Sequence, residues 1–452
     1  MATIREPQIQ TCGIMSAAAC AESVRVTLIQ PRYFNIWEAL GLGYIGAYLK
    51  AHARGPLEIN FFQAFFDSDE EILRGAADSD IVGFSCNSPT FEHGARLARA
   101  LKHVNPRVWT VFGGFHASAV PDDCLESPGV DAVVLGEGER AFLEIVEGNR
   151  GRLVKGDPVD DVNALPFPDR DLIRNDRDIA LAHQYTGKRM TSFQSCRVCP
   201  LQCAFCAERT VTGIFNRATN PVRTMRPERL LDEIQTVAVR YALDHFKFVD
   251  ATWNTSPDKV IAFCQEKIAR GFRLPWEANV HAAFTSREMF RWMKEANCVQ
   301  INVGCESGSP RILRDMRKGI SVEKMIQVFE WAREFGIERR GYFIMGMPNE
   351  SEEDLKLTEA VAERLDPEVF GMTILCPYPG TDLYDPGRHR DIDWSTTDEY
   401  SNDFWSTKHL TNADLKRWQK YLIEKFRDRL AWHHKVLANP DSIPIVQSRA
   451  VS

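Results

Sequence analysis

Residues 189–206 read RMTSFQSCRVCPLQCAFC and join a short strand pattern to a loop that holds four cysteines. The first part, Arg189–Ser195, has the composition of a buried strand. The loop after it carries the spacing CxxxCxxC from Cys199 to Cys206, and Cys196 lies three residues before it. Because ligands of parallel α/β domains bind at the carboxyl ends of strands, we expect this loop to hold the chemistry of the protein.

Strand and helix patterns alternate downstream of this loop. Strands are predicted at His245–Val249, Trp276–His281, Val299–Val303, Arg340–Met345 and Val369–Leu375, and the clearest helices at Pro227–Ala242 and Ser321–Phe335, the latter capped by Gly336. Six βα units without a dinucleotide fingerprint favour a partial (β/α)6 barrel. The alternation stops after Asp382, and Asn412–Leu437 is predicted to form one long helix with an apolar stripe.

A separate α/β pattern precedes the cysteine loop. Strands are predicted at Val24–Gln30, Leu57–Gln63, Asp80–Ser85, Trp109–Gly113 and Ala132–Leu135, and helices at Gly43–Ala53, Glu70–Ala76, Phe91–Val104 and Pro121–Glu126. This order is typical of a doubly wound, Rossmann-like sheet. Small residues at three strand ends, within 85–90, 113–116 and 136–139, allow a large planar or phosphate-bearing ligand to approach the backbone. We therefore expect a binding crevice at this edge.

Proline content marks a boundary between the two patterns. Pro158, Pro166 and Pro168 lie among acidic residues, so 151–185 is predicted to be an extended linker. The predicted organisation is then a sheet domain at 24–150, the linker, a partial barrel at 186–382 and a helical region at 383–452. A chain of 452 residues that is 44% hydrophobic is long enough to bury a core in each of the two large parts.

The composition excludes some classes of function. A formal net charge of −7 argues against a sequence-independent nucleic-acid binder, which needs clustered lysine and arginine. No apolar run reaches the ~18 residues of a membrane span, and Ile14–Ala21 lacks the pattern of a signal peptide. Twelve cysteines are few for a disulfide scaffold of this length. We expect a cytoplasmic protein, with metal or redox chemistry in the cysteine loop and a small molecule or peptide as its partner.

The thiols of the loop point to an iron–sulfur cluster. Cys199, Cys203 and Cys206 would bind three irons of a four-iron cluster and leave the fourth iron without a protein ligand. An open iron can act on a substrate, whereas an electron-transfer ferredoxin closes all four positions with cysteine. Cys196 leaves two alternatives open: a fourth cluster ligand, as in an electron carrier or a module that stabilises a complex, and a structural zinc held by four cysteines.

Residues 195–206 resemble the signature of the radical S-adenosylmethionine superfamily, including the aromatic residue before the last cysteine. Two further segments resemble family motifs, GCESGS at 304–309 on the fourth strand and FIMGMPNE at 343–350 on the fifth. The N-terminal sheet resembles the cobalamin-binding domain of one branch of that family, through LGLGYI at 40–45, GGFH at 113–116, GEGE at 136–139 and LPFP at 165–168. The resemblance spans about residues 24–380. Val198 departs from it, since the family often has glycine there.

This resemblance implies an architecture and a set of cofactors. The fold would be a doubly wound cobalamin-binding-type domain, a partial radical S-adenosylmethionine barrel and a C-terminal helical segment. The implied cofactors are a [4Fe-4S] cluster on Cys199, Cys203 and Cys206, S-adenosylmethionine on the open iron, and cobalamin. The implied contacts of S-adenosylmethionine are Phe205, Asp250, Glu306, Ser307 and Gly346. The predicted contacts of cobalamin are Gly41, Ser85, Ser88, Gly113, Gly114, His116, Gly136 and Glu137.

No Asp-x-His-x-x-Gly stretch, which supplies a lower axial histidine in other cobalamin proteins, is present. We therefore expect no histidine on the lower face of the corrin. His116 has two possible roles, near the corrin edge or hydrogen-bonded in its turn, and the domain could also serve as a scaffold without cobalamin. Glu277, Asn279 and His281 alternate along the third barrel strand and are expected to face one side together.

The resemblance also implies a reaction. In the family, one electron from the cluster cleaves S-adenosylmethionine to a 5′-deoxyadenosyl radical, which takes hydrogen from the substrate. The leading hypothesis is a cobalamin-dependent methyltransferase that acts on a carbon or phosphorus centre of a small biosynthetic intermediate, with an electron donor such as flavodoxin or ferredoxin. The alternatives are a radical cyclase or rearrangement enzyme and transfer of another group, such as aminocarboxypropyl. Tyr342 and Tyr378 could face the substrate, but no residue is assigned as catalytic, because hydrogen abstraction needs no general base.

Overall fold

A computed structural model describes residues 23–33, 37–214, 221–400 and 402–431. These residues form two six-stranded parallel sheets and one short antiparallel pair. The segment Ile14–Ala21, considered above as a signal peptide, lies outside the described residues. No helix of the described part is long and apolar enough to cross a membrane.

The first sheet is doubly wound, as predicted, and its six strands have the order β2-β1-β3-β4-β5-β6. Its strands are β1 (Val24–Gln30), β2 (Leu57–Gln63), β3 (Ile81–Ser85), β4 (Trp109–Gly113), β5 (Ala132–Leu135) and β6 (Leu153–Lys155). Its helices are α1 (Leu40–His52), α2 (Asp69–Ala76), α3 (Ser88–Val104), α4 (Phe115–Ala119), α5 (Pro121–Glu126) and α6 (Gly138–Val146). Separate apolar clusters cover the two faces of the sheet, so the strands are buried on both sides.

The predicted linker is more ordered than its prolines suggested. Leu153–Lys155 pairs with β5 as the edge strand β6, and α7 occupies Asn175–Thr186. Sequence patterns miss β6 because only Val154 of its three residues is buried. Between these elements the buried Arg170 donates to Asn175 Oδ1 at 2.9 Å and to the carbonyl of Ser192 at 2.7 Å. The connector is therefore fastened to the second sheet and is not a free spacer.

The second sheet has the order β14-β13-β12-β11-β10-β7, and all neighbouring strands are parallel. Its strands are β7 (Met190–Phe193), β10 (His245–Phe248), β11 (Trp276–Val280), β12 (Cys298–Glu306), β13 (Glu338–Met345) and β14 (Val369–Ile374). Its helices are α9 (Pro227–Tyr241), α10 (Pro257–Ala269), α11 (Arg287–Glu295), α12 (Pro310–Asp315), α13 (Val322–Glu334) and α14 (Glu352–Leu365). Among the described strands the order ends at β7 and β14, as a partial barrel requires.

The cysteine loop begins in a two-stranded antiparallel pair, which we call the cysteine hairpin although a long segment joins its strands. Strand β8 (Cys196–Arg197) pairs antiparallel with β9 (Arg223–Thr224), so that Arg197 lies opposite Arg223. Helix α8 (Glu208–Ile214) follows the last cysteine of the loop.

The C-terminal helix is shorter than predicted. Helix α15 (Pro386–His389) is followed by α16 (Asn412–Lys425), whereas the apolar stripe predicted one helix as far as Leu437. Phe426 leaves the helical conformation, and its ring stacks on Phe370 with 4.3 Å between the ring centroids. Leu430 then forms an extended bridge to Phe370. Packing against β14 thus ends the helix, and residues 432–437 lie outside the described part.

Candidate active site

Three cysteines of the loop face one space. Cys199, Cys203 and Cys206 line a cavity of about 390 Å³, which we call the cysteine cavity. Cys196 is buried outside this lining, with its Sγ 3.8 Å from the carbonyl of Thr252. The described residues contain no group of three or more ligands arranged for a single metal ion. A zinc site would need that convergence, whereas a four-iron cluster places each thiolate on a different iron. The donor set therefore fits a cluster with three cysteine ligands.

Asp250 holds the first part of the loop in place. Its buried carboxylate accepts hydrogen bonds from the backbone N–H of Ser195 at 2.9 Å and of Cys196 at 2.7 Å, and from Ser195 Oγ at 3.0 Å. Burial raises the pKa of Asp250 to about 6, although these hydrogen bonds oppose the rise. Asp250 was predicted to contact S-adenosylmethionine, but it does not line the cysteine cavity. Its position is that of a support beneath the loop.

The fourth-strand motif contributes an ion pair to the cavity. Strand β12 continues through Glu306, beyond the predicted end at Val303, and shifts register between Gly304 and Glu306. Glu306 adopts a φ of +61° and accepts a hydrogen bond from Lys318 Nζ at 2.6 Å. Both side chains line the cavity, and a Cβ at Gly304 would collide with them. Lys318 was missed because it lies outside every motif and meets Glu306 only through the fold.

Two other predicted contacts lie behind the cavity wall. Ser307 is fully buried, with its hydroxyl 3.1 Å from Thr358 Oγ1. Gly346 has a φ of +104°, and its carbonyl accepts from Trp405 Nε1 at 2.6 Å. A Cβ at Gly346 would lie 3.1 Å from that indole. These residues shape the wall from outside and do not line the cysteine cavity.

Phe205 and Tyr342 line the cysteine cavity and also a second one of about 340 Å³. This tyrosine cavity is bounded further by Tyr378, whose hydroxyl donates to Glu399 Oε2 at 2.7 Å. Phe205 therefore lies at the junction of the two spaces. Tyr342 and Tyr378, which sequence could only suggest, both face this space.

The third barrel strand contributes two of its three polar residues to the cysteine cavity. Asn279 and His281 line it, and His281 Nε2 lies 3.1 Å from the carbonyl of Lys318. Burial lowers the pKa of His281 to about 4, so the ring is neutral near pH 7. Glu277 lies outside the cavity lining, where Lys247 Nζ approaches its Oε1 to 3.5 Å.

The glycine-rich strand ends of the first sheet enclose another cavity of about 260 Å³, the glycine-loop cavity. Its predicted lining residues are Gly41, Ser85, Gly113, Gly114, Gly136 and Glu137. Apolar side chains from both sides of the crevice, including Leu42, Ile45 and Phe142, complete the walls. A Cβ at Gly114, whose φ is +95°, would collide with the backbone of Cys86. An apolar crevice with bare backbone at its mouth fits a large flat cofactor with a long substituent.

Ser88 and His116 lie outside that lining, contrary to the predicted cobalamin contact. The two side chains are 3.0 Å apart, His116 Nδ1 to Ser88 Oγ, and the His116 ring lies 4.6 Å from the ring of Phe91. Both residues border a different cleft. Burial lowers the pKa of His116 to about 4. Of the two roles left open for His116, the structure shows the hydrogen-bonded one.

Two buried ion pairs join the glycine-rich loops to the cysteine hairpin. Glu139 accepts from Arg197 at 2.7 Å, and Glu137 accepts from Arg223, including one hydrogen bond of 3.1 Å. Burial alone would raise the pKa of Glu137, but Arg223 and Arg197 outweigh it and hold the pKa below its usual range. The Glu137 carboxylate, predicted to contact cobalamin, is thus committed to Arg223. The pairs fix the hairpin against the N-terminus of α6.

Val198 lies at the junction of the two cavities. It lines the glycine-loop cavity together with Gln194 and Arg197, while the next residue, Cys199, lines the cysteine cavity. Its φ is +74°, a left-handed conformation that β-branched residues rarely adopt. This backbone explains why glycine is common at this position in the family that the sequence resembles. One loop therefore forms part of the wall of both cavities.

Comparison with known proteins agrees with both halves of this arrangement. A model described as the radical SAM superfamily matches residues 193–361, and one described as a B12 binding domain matches residues 31–146. The chain is 29% identical to an uncharacterized methyltransferase of Pyrococcus horikoshii, over 76% of this chain and 77% of the relative. It is 26% identical to the anaerobic magnesium-protoporphyrin IX monomethyl ester cyclase of Rubrivivax gelatinosus, over 80% and 69% of the two chains.

A solved structure has the same fold. The radical S-adenosylmethionine methyltransferase TsrM of Kitasatospora setae, determined with cobalamin and a [4Fe-4S] cluster bound, superposes with a TM-score of 0.66 at 18% identity. The match covers 80% of this chain and 77% of TsrM. The order of a Rossmann-like domain followed by a radical domain is thereby confirmed. The chain is an enzyme that carries a radical S-adenosylmethionine domain, matched at residues 193–361, after a B12-binding domain, matched at residues 31–146.

Proposed function

We propose that this enzyme is a cobalamin-dependent radical S-adenosylmethionine methyltransferase that acts on a carbon or phosphorus centre of a small biosynthetic intermediate. The observation that carries the proposal is the loop 197–199, which forms part of the wall of both the cysteine cavity and the glycine-loop cavity. When bound, the cluster supplies one electron for cleavage of S-adenosylmethionine, and cobalamin supplies a methyl group. With both cofactors bound in these cavities, the shared wall would hold them on opposite sides of one short loop.

The residues of the cysteine cavity would hold the cluster and S-adenosylmethionine. Cys199, Cys203 and Cys206 would bind three irons, because all three line the cavity and Cys196 does not. Glu306 would accept hydrogen bonds from a ribose, and Phe205 would contact an adenine, because both residues line the cysteine cavity and the tyrosine cavity. Asp250 would act indirectly, through its hydrogen bonds to the start of the loop.

The glycine-loop cavity would hold cobalamin. Gly41, Gly113, Gly114 and Gly136 leave backbone uncovered along its mouth, and Ser85 adds a hydroxyl at the end of β3. No histidine lines this cavity among the described residues. If a corrin binds here, none of the described residues that line the cavity offers it a histidine ligand.

A low-potential reductant completes the proposal. One electron must reach the cluster for each cleavage of S-adenosylmethionine, and a flavodoxin or ferredoxin is the proposed donor. The cytoplasm is the proposed location, because the ten described cysteines are all free of disulfides and a reducing compartment keeps thiols in that state.

A second candidate function has its own support. The relative from Rubrivivax gelatinosus is a cyclase, so ring closure is represented among proteins similar to this chain. Cyclisation or rearrangement would use the same cluster without net transfer of a methyl group. Transfer of another group of S-adenosylmethionine, such as aminocarboxypropyl, would leave methylthioadenosine in place of S-adenosylhomocysteine.

One anaerobic experiment tests these proposals together. The protein is reconstituted with iron, sulfide and hydroxocobalamin, reduced, and given S-adenosylmethionine carrying a deuterated methyl group. We expect retained cobalamin, 5′-deoxyadenosine and S-adenosylhomocysteine, with the label in the product when candidate substrates are present. Cys199→Ser should remove cleavage of S-adenosylmethionine, whereas Cys196→Ser should retain it. Formation of 5′-deoxyadenosine without S-adenosylhomocysteine would favour the cyclase and contradict methyl transfer.

A further inference from the structure

The cysteine cavity carries hydrogen-bond donors from three strands of the second sheet. Lys247 on β10, Asn302 on β12 and Tyr342 on β13 all line it. Lys247 and Asn302 are 6% and 2% exposed, so neither is an ordinary surface side chain. Asn302 pairs in register with Arg340, two residues before Tyr342 on the neighbouring strand. All three side chains therefore reach the same cavity from the inner side of the sheet.

One of these donors has no protein partner. Asn302 Oδ1 accepts a hydrogen bond from Gln300 Nε2 at 2.8 Å, but Asn302 Nδ2 is buried without an acceptor among the described residues. An unsatisfied buried donor destabilises a folded protein unless a ligand or water accepts from it. Because Asn302 lines the cavity, a ligand in that cavity is the natural acceptor.

Positive charge dominates the same region. Lys247 and Lys188 lie 3.5 and 3.8 Å from the two carboxylate oxygens of Glu277, and the charge of Arg340 also acts on this carboxylate. The carboxylate of Glu338 also acts on Arg340, so three cations face two carboxylates and leave an excess of one positive charge. The same charges affect Tyr342: burial raises its pKa, but Arg340 and Lys247 outweigh burial and hold the pKa below its usual value. The donors thus lie in a positive field.

We propose that the substrate carries an anionic group, a carboxylate or a phosphate, that accepts hydrogen bonds from Lys247, Asn302 and Tyr342. This inference rests on the proposed function, since it places the substrate in the same barrel. The rest of the substrate extends into the tyrosine cavity, where Phe205, Ile344 and Leu375 offer apolar surface. The substrate class is an organic acid or phosphate ester with an apolar body. The rival source of the anion is the carboxylate of S-adenosylmethionine itself.

The test is a binding measurement that needs no turnover. Ligand-observed NMR on the anaerobic, cluster-containing protein measures the affinities of phenyl phosphate, benzoate and the neutral isostere benzamide, without and with saturating S-adenosylmethionine. We expect both anions to bind at least about tenfold more tightly than benzamide, the size of one charge-assisted contact. Their binding should persist when S-adenosylmethionine is present.

Three variants locate the binding. Asn302→Asp keeps the acceptor for Gln300 and the shape of the side chain but adds a negative charge, so the binding of phenyl phosphate should be lost. Lys247→Met should weaken it about tenfold. Lys188 also pairs with Glu277 but does not line the cavity. Lys188→Met should therefore weaken the binding of phenyl phosphate less than about twofold, because solvent screens the charge of Lys188 from the ligand. Thermal unfolding of each variant confirms that it is folded.

Other outcomes would overturn the inference. If benzamide binds as tightly as benzoate, the site does not select an anion. If S-adenosylmethionine displaces phenyl phosphate, the donors belong to the carboxylate of that cofactor. If Asn302→Asp and Lys247→Met bind phenyl phosphate like the unaltered protein, the anion binds elsewhere. None of these results depends on methyl transfer, so failure here is distinguishable from failure of the proposed function.

Discussion

At the scale of single residues, Val198 shows how a cofactor loop tolerates an unfavourable backbone. Its φ of +74° suits glycine, yet a valine occupies it and lines the glycine-loop cavity. The neighbouring Arg197 is held by its ion pair with Glu139, which leaves Val198 little freedom to relax. The strain is therefore held by the surroundings of the residue.

Two substitutions at this position separate strain from side-chain loss. Val198→Gly and Val198→Ala both remove most of the side chain, but only glycine adopts a left-handed backbone without strain. We expect the glycine variant to be about 1 kcal/mol more stable than the alanine variant in chemical denaturation, opposite to the order in a helix. If the alanine variant were as stable as the glycine variant or more stable, the left-handed backbone at residue 198 would cause no strain in a residue that has a Cβ.

Glu350 predicts a pH dependence of stability. The buried carboxylate accepts from the backbone N–H groups of Gly346 and Met347, and burial raises its pKa from 4.5 to about 7 despite these bonds. Between pH 4.5 and 7 the folded protein retains a proton that the unfolded chain releases. Rising pH therefore favours unfolding, by up to about 1.4 kcal/mol per pH unit.

Glu350→Gln should flatten this dependence, which denaturant unfolding at pH 5, 6 and 7 would measure. The exposed Glu330 of α13 supplies the control, since Glu330→Gln should follow the pH profile of the unaltered protein. If the stability of Glu350→Gln fell with pH as steeply as that of the unaltered protein, another group would be responsible for the pH dependence.

At the scale of elements, the two Glu–Arg pairs make the cysteine hairpin and helix α6 a single unit. Arg197 and Glu139 are 15% and 3% exposed, so the pair is shielded from water. Removing the acid leaves a buried guanidinium without its carboxylate, which costs about 3 kcal/mol or more. Loss of the pair should disturb the structure of both the glycine-rich loops and the cysteine loop, because the pair connects them.

Glu139→Gln tests this connection. We expect a loss of about 3 kcal/mol in the free energy of unfolding, together with weaker retention of hydroxocobalamin and of iron. Glu144→Gln, an exposed change on the same helix, should shift stability by less than about 0.5 kcal/mol. If Glu139→Gln were as stable as Glu144→Gln, the pair would contribute nothing to docking.

The elements also show what sequence patterns can and cannot predict. Strands β1, β2, β4 and β5 begin and end where their β-branched and apolar residues predicted. Strands β1, β4 and β5 each contain a run of at least three buried residues, whereas the first half of β2 alternates between half-buried and exposed residues. Strand β6 and the end of α16 were missed, because pairing with β5 and packing on Phe370 decide them. Elements set by their own composition were predicted, and those set by a partner were not.

The same distinction holds for the candidate site. The three cysteines were predicted from their spacing and from a resemblance in sequence, Gly113 and Gly136 from small residues at strand ends, and Gly41 from the resemblance. Lys318 and Asn302 carry no local signal, and they become site residues only because neighbouring strands bring them into one cavity. Ser88 and His116 show the reverse case, since their turn was read correctly but the side chains point to another cleft.

At the scale of the whole molecule, the cavity in the first domain can be tested without touching its fold. Gly41 lines the glycine-loop cavity near the start of α1, and a Cβ there would meet nothing within 4 Å. Gly41→Leu should therefore leave the free energy of unfolding within about 1 kcal/mol of the unaltered protein. The side chain would project into the cavity and reduce the retention of hydroxocobalamin after gel filtration.

Gly55→Leu is the matched control, because Gly55 has equal space but lies outside the cavity lining. Its cobalamin retention should equal that of the unaltered protein. Full retention by Gly41→Leu would mean that cobalamin binds in a different place.

Arg170 has a consequence for how the chain is made. Its guanidinium contacts Glu38 from the start of the first domain, Ser192 from the first barrel strand, and Glu233 from helix α9. During synthesis the first of these partners leaves the ribosome long before the last. A nascent chain that ends before residue 233 holds an arginine whose burial is only partly compensated. The two domains therefore depend on each other for complete folding. If the gene is split at residue 185, we expect each half to fold poorly when it is produced alone.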